Sequence, residues 1–98
     1  MNSSVRNFLR AQAHDVHPIV MVGKGGYDEM VAKALDEALL HHELVKVKFQ
    51  ANRDQMEQIA SQLAVATNSE LVGKIGFISI FYRESEEHLI TMPRALFK

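Results

Sequence analysis

The stretch between Pro18 and Phe49 constrains the fold most, because the hydrophobic period changes there twice. Ile19-Val20-Met21-Val22 is a short, mostly β-branched apolar run between a proline and a glycine, which suits a buried strand. Beyond Gly23-Lys24-Gly25-Gly26, the apolar positions Tyr27, Val31, Leu35 and Leu39, with Ala34, Ala38 and His42, recur at helical spacing and predict a helix over 27–41. Leu44 to Phe49 then alternates, with Val45, Val47 and Phe49 on one side and Lys46 and Lys48 on the other, a side turned toward water or a ligand. Strand, helix and strand in this order make a crossover unit, whose two strands run parallel in one sheet.

The flanking segments extend this unit. Val5, Phe8, Leu9, Gln12 and Ala13 predict a first helix over about 4–14, capped by Ser3 or Ser4 and stopped ahead of Pro18. Arg6 and Arg10, four residues apart, share a face of it away from the apolar stripe. Met56, Ile59, Ala60, Leu63 and Ala64 predict a third helix, opened by Asn52 or Asp54 and closed at Thr67-Asn68-Ser69. Glu70 to Ile75 and Phe77 to Arg83 read as a hairpin turning at Gly76, which adds one antiparallel pairing. The order αβαβαββ, without repeat or linker, gives an α/β (α+β) two-layer sandwich: a mixed four-stranded sheet with helices packed on it. All 98 residues are expected to form one domain, and 47% apolar content supports a modest core.

Composition removes several function classes. No cysteine is present, so there is no disulfide framework and no thiolate chemistry. The start, Met1 to Arg6, has no apolar signal region and no segment approaches a membrane span, so a cytoplasmic protein is expected. A net charge of −1 argues against binding polyanions by bulk charge, but the charges are polarised. Residues 1–26 carry three cations against one acid, whereas residues 27–45 carry five acids against one cation.

Gly23-Lys24-Gly25-Gly26 has neither the P-loop spacing nor that of a dinucleotide fingerprint. It is a G-x-x-G loop between a strand and a helix N-terminus, where free N–H groups and the helix dipole favour a phosphate; KH domains clamp nucleic-acid backbones with such a loop. Read locally, the same residues favour a plain strand-to-helix turn over a site, since glycine commonly just punctuates a chain. His14, His17, His41 and His42 do not form a chelating set, Ser79 and Ser85 lack a nucleophile elbow, and no metal, cofactor or catalytic residue is expected. The His42-Glu43 pair reads as a capping or packing feature at the end of the second helix. Tyr27, beside the loop, and Phe77, at the hairpin turn, are the aromatics left open as base-stacking residues.

Five blocks follow one another along the chain: Phe8 to His14, Pro18 to Gly26, His42 to Lys48, Ile80 to Arg83, and Met92-Pro93-Arg94. Together they resemble the YhbY family, the stand-alone bacterial form of the CRM (chloroplast RNA splicing and ribosome maturation) domain, over about residues 3–94. The resemblance implies a fold similar to the C-terminal domain of translation initiation factor 3. It also implies a non-enzymatic RNA-binding protein, expected as a monomer, that acts on rRNA in precursors of the large ribosomal subunit. RNA contacts would then fall on Gly23, Lys24, Gly25 and Gly26, on Arg6 and Arg10, and on Lys46 and Lys48. Members of that family often carry a basic residue after the hairpin glycine, where this chain has Phe77. Two alternatives stay open: a module that docks on a ribosomal protein through the acidic second helix, and an accessory domain for a small phosphorylated ligand.

Overall fold

The computed structural model describes residues 1–93 and Leu96. Its elements are α1 (Ser3–Gln12), β1 (Val20–Val22), α2 (Glu29–His42), β2 (Leu44–Phe49), α3 (Met56–Thr67), β3 (Glu70–Ile75) and β4 (Ile78–Tyr82), with 3-10 turns at Ala13–Asp15 and Arg53–Gln55. The strands form one mixed sheet in the order β1-β2-β4-β3. β1 and β2 are parallel, with Val20 opposite Val47, as the crossover requires. The hairpin strand β4 inserts between β2 and β3 and runs antiparallel to both, so two antiparallel pairings form where one was expected. The reason lies in β4 itself: consecutive Ile80, Phe81 and Tyr82 are all buried, and a strand apolar on both faces belongs at the centre of a sheet.

That strand also decides the layering. On one face Val45, Val47, Phe49 and Phe81 pack against Leu35 and Leu39 of α2 and Ile59 and Leu63 of α3. On the other, Leu44, Val72, Ile80 and Tyr82 pack against Val5 and Leu9 of α1 and against Ala13. The α+β class and the mixed four-stranded sheet are as expected, but helices cover both faces, giving three layers instead of two.

Local chemistry sets the boundaries. Asn2 Oδ1 accepts the Val5 N–H at 2.8 Å, so the residue ahead of the two serines caps α1. Asp28 Oδ1 accepts the Val31 N–H at 2.8 Å and starts α2 two residues later than the apolar stripe suggested. Neither Asn52 nor Asp54 caps α3, which is entered through the 3-10 turn. Two polar anchors then hold the end of the chain. Glu43 is fully buried and accepts from Ser85 N–H at 2.8 Å, Ser85 Oγ and Ile90 N–H at 2.9 Å, which fixes the segment after β4. Arg83 donates to Asp36 Oδ1 at 2.7 Å and to the Thr67 carbonyl at 2.6 Å, joining α2 to the C-terminal end of α3.

Candidate nucleic-acid interface

The strand directions bring three connections to one end of the sheet: the loop after β1, the turn after β2 and the β3–β4 hairpin. The main-chain bonds Gln50 N–H to Val22 O, 2.9 Å, and Phe49 N–H to Phe77 O, 2.8 Å, join them. In the loop after β1, Gly26 N–H donates to Gly23 O at 3.0 Å, closing a β-turn with Lys24 and Gly25 at its exposed tip. Asn52 holds this turn from outside: its Nδ2 donates to Gly23 O at 3.1 Å and to Lys24 O at 3.0 Å. Asn52 occupies the left-handed region, φ 56°, which Asn tolerates better than most residues.

The glycines of the loop are not equivalent. Gly26 is buried at φ +63°, and a Cβ there would lie 3.3 Å from Asn52 Nδ2, so the fold itself demands glycine at that position. A Cβ on Gly23 would meet nothing within 4 Å, and one on Gly25 only Asp28 Oδ2 at 3.6 Å. At those two positions packing does not require glycine, and the open space suits a second backbone approaching closely. Among the described residues, the Lys24 and Gly25 N–H groups donate to no protein acceptor. The N-terminus of α2, by contrast, is already occupied by the Asp28 carboxylate. An anion would therefore be held by the turn amides and the Lys24 ammonium, rather than by the helix end.

Arg6 and Arg10 lie at the other edge of the sheet, over β3. Arg10 crosses β3 at Gly73, where an added Cβ would stand 3.0 Å from Arg10 Cδ, and its guanidinium donates to Asn7 Oδ1 at 3.0 Å. Both arginines, with Glu57, Ser61 and Lys74, line an open groove of about 520 Å³ over the β3 edge. Arg6 Nε is buried in this wall without a hydrogen-bond partner among the described residues. Lys74, paired with Glu57 at 3.2 Å, also lines a neighbouring groove with Arg53 and Phe77. Arg53 follows Asn52 in the chain, so cations recur from α1 past the hairpin to the loop, with Glu57 and Asp54 between them.

The two strand lysines separate. Lys48 is exposed beside Met21 and Ile78, at the end of the α1 face that α1 does not reach. Lys46 is only 7% exposed, opposite Ile80 on the face that holds the second core cluster, so the expectation of an open Lys46/Lys48 face is corrected for Lys46. Alternation identifies the two faces of a strand but not how far a helix extends over one of them. Tyr27 packs against the core, whereas Phe77 is 47% exposed with Arg53 Cζ 4.1 Å from its ring centroid. Sequence reasoning missed Asn52 as the tether and Arg53 as a cation of this corner. Arg94, in the last of the five blocks, lies outside the described residues.

Charge placement reconciles this arrangement with a net charge near zero. Of the acids on and after α2, Asp28 caps the helix, Asp36 pairs with Arg83 and Glu43 is buried under Ser85 and Ile90. Among the described residues, Lys24, Arg6, Arg10, Lys48 and Arg53 form no ion pair.

The CRS1 / YhbY (CRM) domain model matches residues 1–83. The chain belongs to the CRM domain family. The matched span runs from α1 through β4 and contains every candidate residue from Arg6 to Lys48. A Haemophilus influenzae relative named "RNA-binding protein" is 38% identical over 95 residues, covering 96% of each chain. The Bacillus subtilis "Probable RNA-binding protein YqeI" is 38% identical over 84 residues, covering 85% of this chain and 88% of its own. The solution structure of a Staphylococcus aureus protein, described as a candidate RNA-binding protein, superposes with a TM-score of 0.80. It is 41% identical and covers 95% of this chain and 100% of the other. The three-helix, four-strand CRM fold is thus common to this chain and a solved relative.

Proposed function

We propose that this chain is a non-catalytic RNA-binding protein that grips an RNA backbone at Gly23–Gly26 and assists assembly of the large ribosomal subunit in the cytoplasm. The observation that carries the reading is the exposed Lys24-Gly25 tip: two N–H groups without protein partners among the described residues, beside one ammonium, on a turn tethered by Asn52. Such a tip offers a phosphate charge-assisted hydrogen bonds with little ordering cost. The names of the relatives support RNA as the ligand. Arg6, Arg10 and Lys48 extend the contact along the strand, and phosphate contacts of this kind position an RNA without reading its sequence. Selection of a site on rRNA would then rest on RNA shape.

The alternative of docking through an acidic α2 is weakened by the engagement of Asp28, Asp36 and Glu43 inside the fold, which leaves Glu29 and Glu37 as its open acids. Replacing Lys24 with Glu tests the reading. Thermal stability is expected to stay constant, because the side chain is exposed, while RNA affinity falls and the slope of log K against log salt shallows by about 1. Affinity and slope equal to those of the unmodified chain would refute the backbone grip. Crosslinking in growing cells, with sedimentation of ribosomal particles, tests the assembly role, and a protein absent from large-subunit precursors would contradict it.

A further inference from the structure

We infer that Phe77 and Arg53 form a stacking platform for one unpaired nucleobase beside the backbone-gripping loop, a reading that rests on the function proposed above. The two residues come from different connections. Phe77 stands at the hairpin turn, where Gly76 takes φ +57° and Phe77 remains 47% exposed. Arg53 opens the 3-10 turn after β2 and places its guanidinium carbon 4.1 Å from the centre of the Phe77 ring. An aromatic at a tight turn with nearly half its surface in water makes little contribution to the core; here it is paired with a cation in the geometry of a cation–π contact. Planar guanidinium and aromatic faces are the surfaces on which splayed bases stack.

The surroundings select a base over a phosphate at this corner. Asp54 and Glu57 line the same groove as Arg53, Phe77 and Lys74. Two acids and two cations leave this groove without net charge, and Glu57 is already paired with Lys74 at 3.2 Å. The groove therefore has no net attraction for a phosphate but tolerates a neutral base, from whose exocyclic amino group a carboxylate can accept. Backbone and base are thereby separated between adjoining elements. The phosphate sits at Lys24 and Gly25, and its base turns toward Arg53, whose neighbour Asn52 holds the Lys24 carbonyl at 3.0 Å. Bases inside a duplex are stacked on one another and do not reach such a platform, so the RNA recognised at this corner is single-stranded.

The full chain is tested with a short single-stranded RNA containing a fluorescent adenine analogue, and with a blunt RNA duplex. Phe77→Leu keeps an apolar side chain but removes the ring, and Phe77→Tyr keeps the ring. Phe77→Leu is expected to lower affinity for the single strand roughly 5- to 150-fold, as loss of one stacked base does, and to abolish quenching of the analogue. Its salt slope should stay that of the unmodified chain, because stacking releases no counterions. Phe77→Tyr should retain both affinity and quenching, and the duplex should bind more weakly than the single strand. Phe77→Leu binding and quenching like the unmodified chain, alongside a weakened Lys24→Glu, would overturn the platform and leave the loop standing. If Lys24→Glu retains full affinity while Phe77→Leu loses it, the loop reading fails and the platform is supported.

Discussion

Replacing Asn52 with Gly probes the link between the fold and the proposed site. Glycine accepts the φ of 56° without strain, so the backbone of the turn is kept while both side-chain bonds to Gly23 O and Lys24 O are lost. Neutral hydrogen bonds contribute about 0.5–1.5 kcal/mol each, and here water can replace them at exposed carbonyls, so a net destabilisation of about 1 kcal/mol is expected. In a domain of this size that corresponds to a fall in Tm of about 4–8 °C. The untethered turn must also be ordered on binding, at about 0.5–1.5 kcal/mol, which predicts roughly 2- to 12-fold weaker RNA binding. Asn52→Asp should be worse than Asn52→Gly, because a carboxylate cannot donate to the two carbonyls and brings a negative charge to the phosphate position. Urea unfolding followed by circular dichroism, with fluorescence anisotropy at fixed salt, measures both quantities. An Asn52→Gly protein that loses stability yet binds RNA as tightly as the parent would refute the claim that the tether preorganises a binding turn.

Other consequences concern the frame at the opposite end of the sheet, where β2 begins and β4 ends. Burial alone would raise the pKa of Glu43, but hydrogen bonds from the Ser85 side chain and from the Ser85 and Ile90 backbone outweigh it and hold the carboxyl below its ordinary value. A carboxyl with a lower pKa folded than unfolded stabilises the protein above the unfolded value and loses that contribution as pH falls through the folded one. Glu43→Gln should therefore cost about 1.5–3 kcal/mol at neutral pH and flatten the acid limb of the stability curve below about 4.5, as pH-dependent urea melts would record. Arg83→Met, which breaks the bonds to Asp36 and Thr67 O, should also lower stability by about 1.5–3 kcal/mol while leaving the RNA salt slope unchanged. A shallower slope in that variant would place Arg83 among the RNA contacts.

The features legible in the sequence are those that depend on short-range period. β2 falls on the residues that alternation marks, Leu44–Phe49, β3 on the first strand of the expected hairpin, Glu70–Ile75, and the parallel crossover follows from the intervening helix. Helix ends are less legible, because Asn2 and Asp28 supply the caps through side-chain bonds that periodicity does not record. Layering depends on a non-local feature: β4 inserts at the sheet centre and is apolar on both faces, so α1 packs on the second, the face on which Lys46 is also buried. The loop at 23–26 stood out because glycines and one lysine are concentrated there. Its tether did not, since Asn52 lies 28 and 29 residues away from the carbonyls it holds and resembles an ordinary helix opener. The Arg53–Phe77 pair likewise joins two connections that only the sheet order brings together.

The most direct test of the central claim is a titration of the ¹⁵N-labelled protein with single-stranded RNA, followed by amide chemical shifts. The Lys24 and Gly25 N–H groups, which donate to no protein acceptor among the described residues, should shift most, with smaller shifts at Arg53, Phe77 and Lys48. Unmoved loop amides, with the largest shifts on the solvent face of α2 around Glu29, Lys33 and Glu37, would contradict the account.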